Sequence, residues 1–169
     1  PCHRPALAGA RSGGRLRAAR PHPGKVPALA PPAGGAVTVL LDGPLGSELT
    51  RRGVATGGIA WSADANLTAP TVVADIHRAH VALGCDLVRA NTFRARPERL
   101  ADWKASLDAA VALARSAAGE LPVYASIAPF GDCYDRTTPD LVAARRSHEA
   151  VLERLLARGV DGLAFETFP

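Results

Sequence analysis

Two carboxylates stand at the ends of apolar runs. Val37-Thr38-Val39-Leu40-Leu41 stops at Asp42 and is followed by Gly43-Pro44-Leu45-Gly46, while Val160-Asp161-Gly162-Leu163-Ala164-Phe165 stops at Glu166. A short, β-rich apolar run that ends in an acid puts that acid at the C-terminal tip of a buried strand. In parallel α/β proteins that tip is where substrates bind. Asp42 taken alone reads equally well as a turn former or helix N-cap before Pro44-Leu45. Glu166 is harder to explain that way, because glutamate is a poor turn residue and is rarely buried without a partner. Two carboxylates in one apolar mouth suit an ammonium group, such as the α-amino group of an amino acid. A general acid/base pair fits the same residue types.

Other reactive side chains point to less. His77 and His80 lie i,i+3 on one helix, a spacing that suits a metal, but no neighbouring acid or cysteine completes a set, so a solvated or core-edge role is expected. His148 reads the same way. Cys85 opens a strand, at the wrong end for chemistry, and Cys133 is a single thiol in a loop among acids. Arg94 and Arg96 follow a strand where they could meet an anion; solvated loop arginines are the expectation. No Ser/His/Asp order, phosphate loop or basic-aromatic stripe rises above background.

The elements that must position these groups alternate along the chain. Val37–Leu41 reads as a strand buried on both faces, Leu45–Arg52 as a short helix closed by Gly53, and 54–69 as a loop carrying Trp61. A helix runs from Pro70 to Leu83 and stops at Gly84. Asp86–Asn91 is a second strand, Pro97–Ala118 a helix, and Leu121–Ile127 a third strand. Pro139 or Asp140 opens a helix that reaches Arg158, and Val160–Phe165 is the fourth strand. The strand tips are then Asp42, Asn91-Thr92, Ser126 and Glu166. The β-α-β-α-β-α-β order, with crossovers long enough for right-handed parallel connections, fits a doubly wound sheet or a (β/α)8 barrel. No GxGxxG follows the first strand, which speaks against the dinucleotide-binding version. Four strands over residues 37–169 are half of what the ~250 residues of a complete barrel supply. The expected fold is therefore α/β, the N-terminal half of a (β/α)8 barrel.

Composition separates a tail from this domain. Residues 1–36 carry Arg4, Arg11, Arg15, Arg17, Arg20 and Lys25 with no acid, +6, whereas the remainder is −2, so the basic balance belongs to the tail. That segment is rich in Pro, Gly, Ala and Arg, has no helical or strand period, and is expected to be disordered. Its Pro and Gly would break the amphipathic helix of a transit peptide. The domain, at 37–169, gives no electrostatic case for nucleic acid. No apolar stretch approaches the ~20 residues of a membrane span, and no signal-peptide core is visible. Three cysteines, Cys2, Cys85 and Cys133, form no paired framework, so a reducing cytoplasm is the default. The chain has no methionine and stops just after a strand tip, and a fragment of a longer protein is expected.

Five segments together carry a resemblance. Leu40–Gly53 (LLDGPLGSELTRRG), Trp61-Ser62-Ala63, His77–Arg96 (HRAHVALGCDLVRANTFRAR), Ser126–Gly131 (SIAPFG) and Gly159–Pro169 (GVDGLAFETFP) resemble, in order, motifs of the homocysteine S-methyltransferase family. The resemblance implies a barrel enzyme that methylates the sulfur of L-homocysteine to give methionine, using a methyl donor such as S-methylmethionine or S-adenosylmethionine. It also implies a zinc ion held by three cysteine thiolates, with homocysteine bound to it as thiolate. Carried over by position, Asp42 and Glu166 would contact homocysteine, Glu166 at its ammonium group. Trp61, Asn91, Thr92 and Ser126 would line the pocket.

The family's zinc cysteines lie beyond the fourth strand, so the ligands are expected past residue 169 and the chain as given is expected to be inactive. Ala90 stands where Thr is usual, Ala128 where Gly is, and Arg94 where Gln is, near the expected donor site. The rival readings are a truncated, non-catalytic half-barrel module and a different barrel enzyme. The latter would need a Schiff-base lysine or a His-x-His at a strand end, and neither is present.

Overall fold

The computed structural model describes residues 38–134 and 140–168. The tail over 1–36, Val37 and the Pro139 helix start lie outside these residues. Three parallel strands, β1 (Val88–Ala90), β2 (Val123–Ile127) and β3 (Gly162–Phe165), pair in chain order. Their register aligns Arg89 with Tyr124 and Tyr124 with Gly162. Before β1 come α1 (Leu45–Arg51), a 3-10 turn at Trp61–Asp64, α2 (Ala65–Thr68) and α3 (Pro70–Ala82), while α4 (Trp103–Ala118) connects β1 to β2 and α5 (Leu141–Ala157) connects β2 to β3.

The expected first strand differs most. Leu41 makes a single parallel bridge to Leu87, and Leu40 is tied on both sides to Asp86: its N–H donates to the Asp86 carboxylate and its carbonyl accepts from the Asp86 N–H, each at 2.8 Å. This run borders β1 at the sheet edge with one neighbour only, and Leu40 and Leu41 are half exposed instead of buried on both faces. The expected loop at 54–69 contains the 3-10 turn and α2. The expected helix from Pro97 begins only at Trp103. Arg96 and Glu98 are engaged elsewhere: the Glu98 carboxylate accepts from Ser147 Oγ on α5 at 2.7 Å.

One apolar cluster packs α4 and α5 on the sheet through Val88, Val123, Ala125, Leu107, Val111 and Leu155. Small alanines at 110, 114 and 118 let α4 approach closely while favouring helix. A second cluster (Leu49, Ala65, Val73, Ile76) joins α1, α2 and α3. At the α4–α5 seam Asp108 accepts from both Arg154 and Arg158. Partial burial pushes the Asp108 carboxyl up, but the two guanidiniums outweigh this and hold it below its ordinary value. Asp140 caps α5, accepting from Val142 N and Ala143 N at 2.9 and 3.2 Å. At Gly162 a Cβ would stand 2.6 Å from the Tyr124 ring, so the face of β3 beneath the site has room only for glycine.

Candidate functional site

Side chains alternate across a strand, so Arg89 and Asn91, Tyr124 and Ser126, and Gly162, Ala164 and Glu166 share one face of the sheet. At its C-terminal end that face opens into a cleft of about 320 Å³. Asp42, Trp61, Asn91, Ser126 and Glu166 all line it, together with Arg89 and Phe93. Thr92 is not on its wall. Its buried hydroxyl donates to the Ser126 carbonyl at 2.8 Å, which ties the tips of β1 and β2 together.

The two carboxylates do come together, but a cation stands between them that the sequence reading passed over. Arg89 Nε donates to Asp42 Oδ1 at 2.8 Å, and Nη1 donates to Glu166 Oε1 at 3.0 Å. Nη2 reaches the Asp42 carbonyl at 3.2 Å, and the Arg89 backbone N–H donates to Asp42 Oδ2 at 2.9 Å. Burial opposes the charge on Arg89, yet Asp42 and Glu166 outweigh it and raise its pKa above the ordinary guanidinium value. Glu166 Oε1 also accepts from Ser126 Oγ at 2.8 Å. The mouth is thus an acid–guanidinium–acid chain carrying one net negative charge. The signal for Arg89 was its two-residue step from Asn91.

Asn91 works mainly as a clamp. Its Nδ2 donates to Ser62 O at 2.7 Å and Asn66 Oδ1 at 2.8 Å, and its Oδ1 accepts from Ser62 Oγ at 2.7 Å. These bonds pin the segment after Trp61 to the tip of β1. Trp61 has φ +48°, and Thr167, directly after Glu166, has φ +56°. Non-glycine residues rarely adopt that region, and such strain gathers at functional sites.

Arg94 and Arg96 are buried, contrary to the expectation of solvated loop arginines. The Arg94 guanidinium lies 3.8 Å from the Trp61 ring centroid, a cation–π stack that sequence spacing does not announce. Arg96 donates to the carbonyls of Ala128, Pro129 and Gly131 and so holds the loop after β2. His77 is also fully buried, not solvated. Its Nδ1 sits 4.0 Å from Asp42 Oδ2, and burial depresses its pKa to about 4 against the pull of the Asp42 carboxylate. His148 reaches across from α5 and lies 3.0 Å from the Ala128 carbonyl.

A thiolate metal set does not fit the residues present. Among the described residues no three His, Cys, Asp or Glu side chains converge on a common point. Cys85 is buried at the opposite end of β1, and burial together with Asp42 pushes its thiol pKa up, away from the thiolate that a metal needs. Cys133 lies in the loop after β2, with its sulfur 3.8 Å from Arg94 Nη2.

Parallel strands that gather polar groups around a cleft at their carboxyl ends define a binding face of the (β/α)8-barrel kind. The family model for homocysteine S-methyltransferase matches residues 39–169. This chain belongs to that family. It is 28% identical over 155 residues to the homocysteine S-methyltransferase of Escherichia coli strain K12, a match covering 78% of this chain and 50% of that protein. The crystal structure of the homocysteine methyltransferase MmuM from Escherichia coli in its metallated form is similar at 29% identity and a TM-score of 0.68, covering 78% of this chain and 54% of that one. The apo form is similar at 28% identity and a TM-score of 0.57, covering 74% of this chain and 47% of that one. The chain therefore spans about half the length of the relatives it matches.

Proposed function

We propose that this chain supplies the substrate-holding part of an enzyme that transfers a methyl group to the sulfur of L-homocysteine, giving methionine. The observation that carries this reading is the convergence of Asp42 and Glu166 on one cleft at the strand ends. In the cleft Glu166 Oε2, which has no hydrogen bond from the described residues, accepts the substrate's ammonium group. Ser126 and Arg89 hold the other Glu166 oxygen and so fix the carboxylate's orientation. Trp61 walls the cleft, and Asn91 keeps it there. In the transfer the sulfur lone pair forms the new S–C bond. The donor's bond to that methyl carbon breaks, its electrons leave with the donor, and the thiol proton is lost. A sulfonium donor such as S-methylmethionine or S-adenosylmethionine departs as a neutral thioether.

Zinc, which the resemblance implies, finds no ligand set among the described residues. The role proposed for this chain is therefore to hold the amino-acid end of the substrate. The test is titration calorimetry of the 169-residue chain with L-homocysteine under reducing conditions. Glu166→Gln should weaken binding by about tenfold or more, the value of one charge-assisted hydrogen bond. Circular dichroism should stay unchanged. A folded Glu166→Gln variant with undiminished affinity would overturn the assignment.

A further inference from the structure

Arg89 has an ordinary explanation: it neutralises Asp42, whose side chain is 2% exposed and could not otherwise be buried at low cost. Two observations go further. The guanidinium has five N–H donors, and three are taken by Asp42 Oδ1, the Asp42 carbonyl and Glu166 Oε1. Two donors remain, on a side chain about a quarter exposed at the cleft wall. On the other side of the same ion pair, Glu166 Oε1 takes both Arg89 and Ser126, which leaves Oε2 open. A free acceptor bearing negative charge therefore adjoins free donors bearing positive charge, and four hydrogen bonds lock Arg89 in place before any ligand arrives. Rigid, planar donors of this kind match a carboxylate.

We propose that Arg89 is a specificity-determining residue of the cleft: its spare N–H groups receive the α-carboxylate of an amino acid whose α-ammonium group sits on Glu166. The cleft then selects a free zwitterionic α-amino acid and rejects an amine that lacks the carboxylate. This rests on the homocysteine reading above and adds to it the group that reads the other half of the zwitterion.

The probes are L-homocysteine and 3-aminopropane-1-thiol, which keeps the ammonium and thiol but lacks the carboxylate. Titrated into the full chain, homocysteine should bind about ten- to a hundredfold more tightly than the aminothiol, the range for hydrogen bonds to a charged group. Arg89→Met should abolish that preference while the aminothiol binds as well as before or better, because Asp42 and Glu166 lose their competing cation. No unfolded variant can imitate undiminished binding of one ligand together with a loss for the other. Arg89→Lys, which retains the charge, covers the case in which the Met variant does not fold. One ammonium cannot serve both carboxylates and the ligand, so the preference should shrink there too. A folded Arg89 variant that still prefers homocysteine to the wild-type extent overturns the proposal but leaves Glu166 as the ammonium site. Failure of the wild-type chain to bind either compound overturns the homocysteine reading and this inference with it.

Discussion

Beneath Asp42 lies a histidine that the site does not need to charge. Both ring nitrogens of His77 are buried and without a hydrogen-bond partner, and burial holds its folded pKa near 4 against an ordinary value of 6.5. In the unfolded chain this histidine takes up a proton as the pH falls through 6.5, but in the folded chain it resists until about 4. The unfolded state thus binds more protons across that window, and stability must fall as the pH drops from 6.5 towards 4. The loss from this group should approach about 3 kcal/mol at the acid end. His77→Leu removes two unpaired polar atoms from the core at similar volume, which is close to neutral at pH 7. Urea denaturation midpoints from pH 7 to pH 4 should fall less steeply for His77→Leu than for the wild type; parallel curves would show that His77 is not the acid-sensitive group. The same burial logic separates residues that could be read from those that could not. Asp42 and Glu166 stood out because each ends an apolar run. Arg94 and Arg96 did not, because an arginine in a loop shows its burial only through partners far away, here Trp61 and the carbonyls after β2.

At the level of elements, what placed the site was strand register. The β1–β2–β3 register puts Arg89, Asn91, Ser126 and Glu166 on one face, and it depends on β3 lying close over Tyr124. Gly162→Ala would drive a Cβ to 2.6 Å from the Tyr124 ring. The expected cost is about 1–3 kcal/mol, as for other overpacked cores. Tyr124→Leu should recover most of it, so a double-mutant cycle by chemical denaturation should give strong non-additivity. Additive costs would mean that the ring is not what glycine avoids. Helices α3, α4 and α5 were legible to within a few residues except at the start of α4. The run before Asp42 was read too generously: β-branched composition reports a preference for extended backbone, but a ladder also needs a partner on each side.

The whole molecule is a parallel α/β face whose β1 edge is bordered by the Leu40–Leu41 run and whose β3 pairs with no strand beyond β2 among the described residues, and apolar Leu40, Leu41, Phe165 and Phe168 are exposed. None of the described helices is long and apolar enough to cross a membrane. Because the chain spans about half of its relatives, binding and turnover should separate. The 169-residue chain is expected to bind L-homocysteine yet form no methionine from S-methylmethionine or S-adenosylmethionine with zinc present, as followed by mass spectrometry. Methionine production at a sustained rate would mean that the residues of this chain suffice for the transfer.

Sequence by itself determined most of the alternation of strands and helices, the two acids that end apolar runs and the family to which they belong. Those features are local: apolar periodicity, a Pro or Gly at an element end, and a motif each lie within a few adjacent residues. Tertiary structure alone decided that Arg89 joins Asp42 to Glu166, that Asn91 clamps the Trp61 segment, and that Arg94 stacks on Trp61. Those pairs are separated by 29 to 77 positions along the chain. Charge and hydrogen-bond partners act over a few ångströms in space, and only the fold says which distant residues share them.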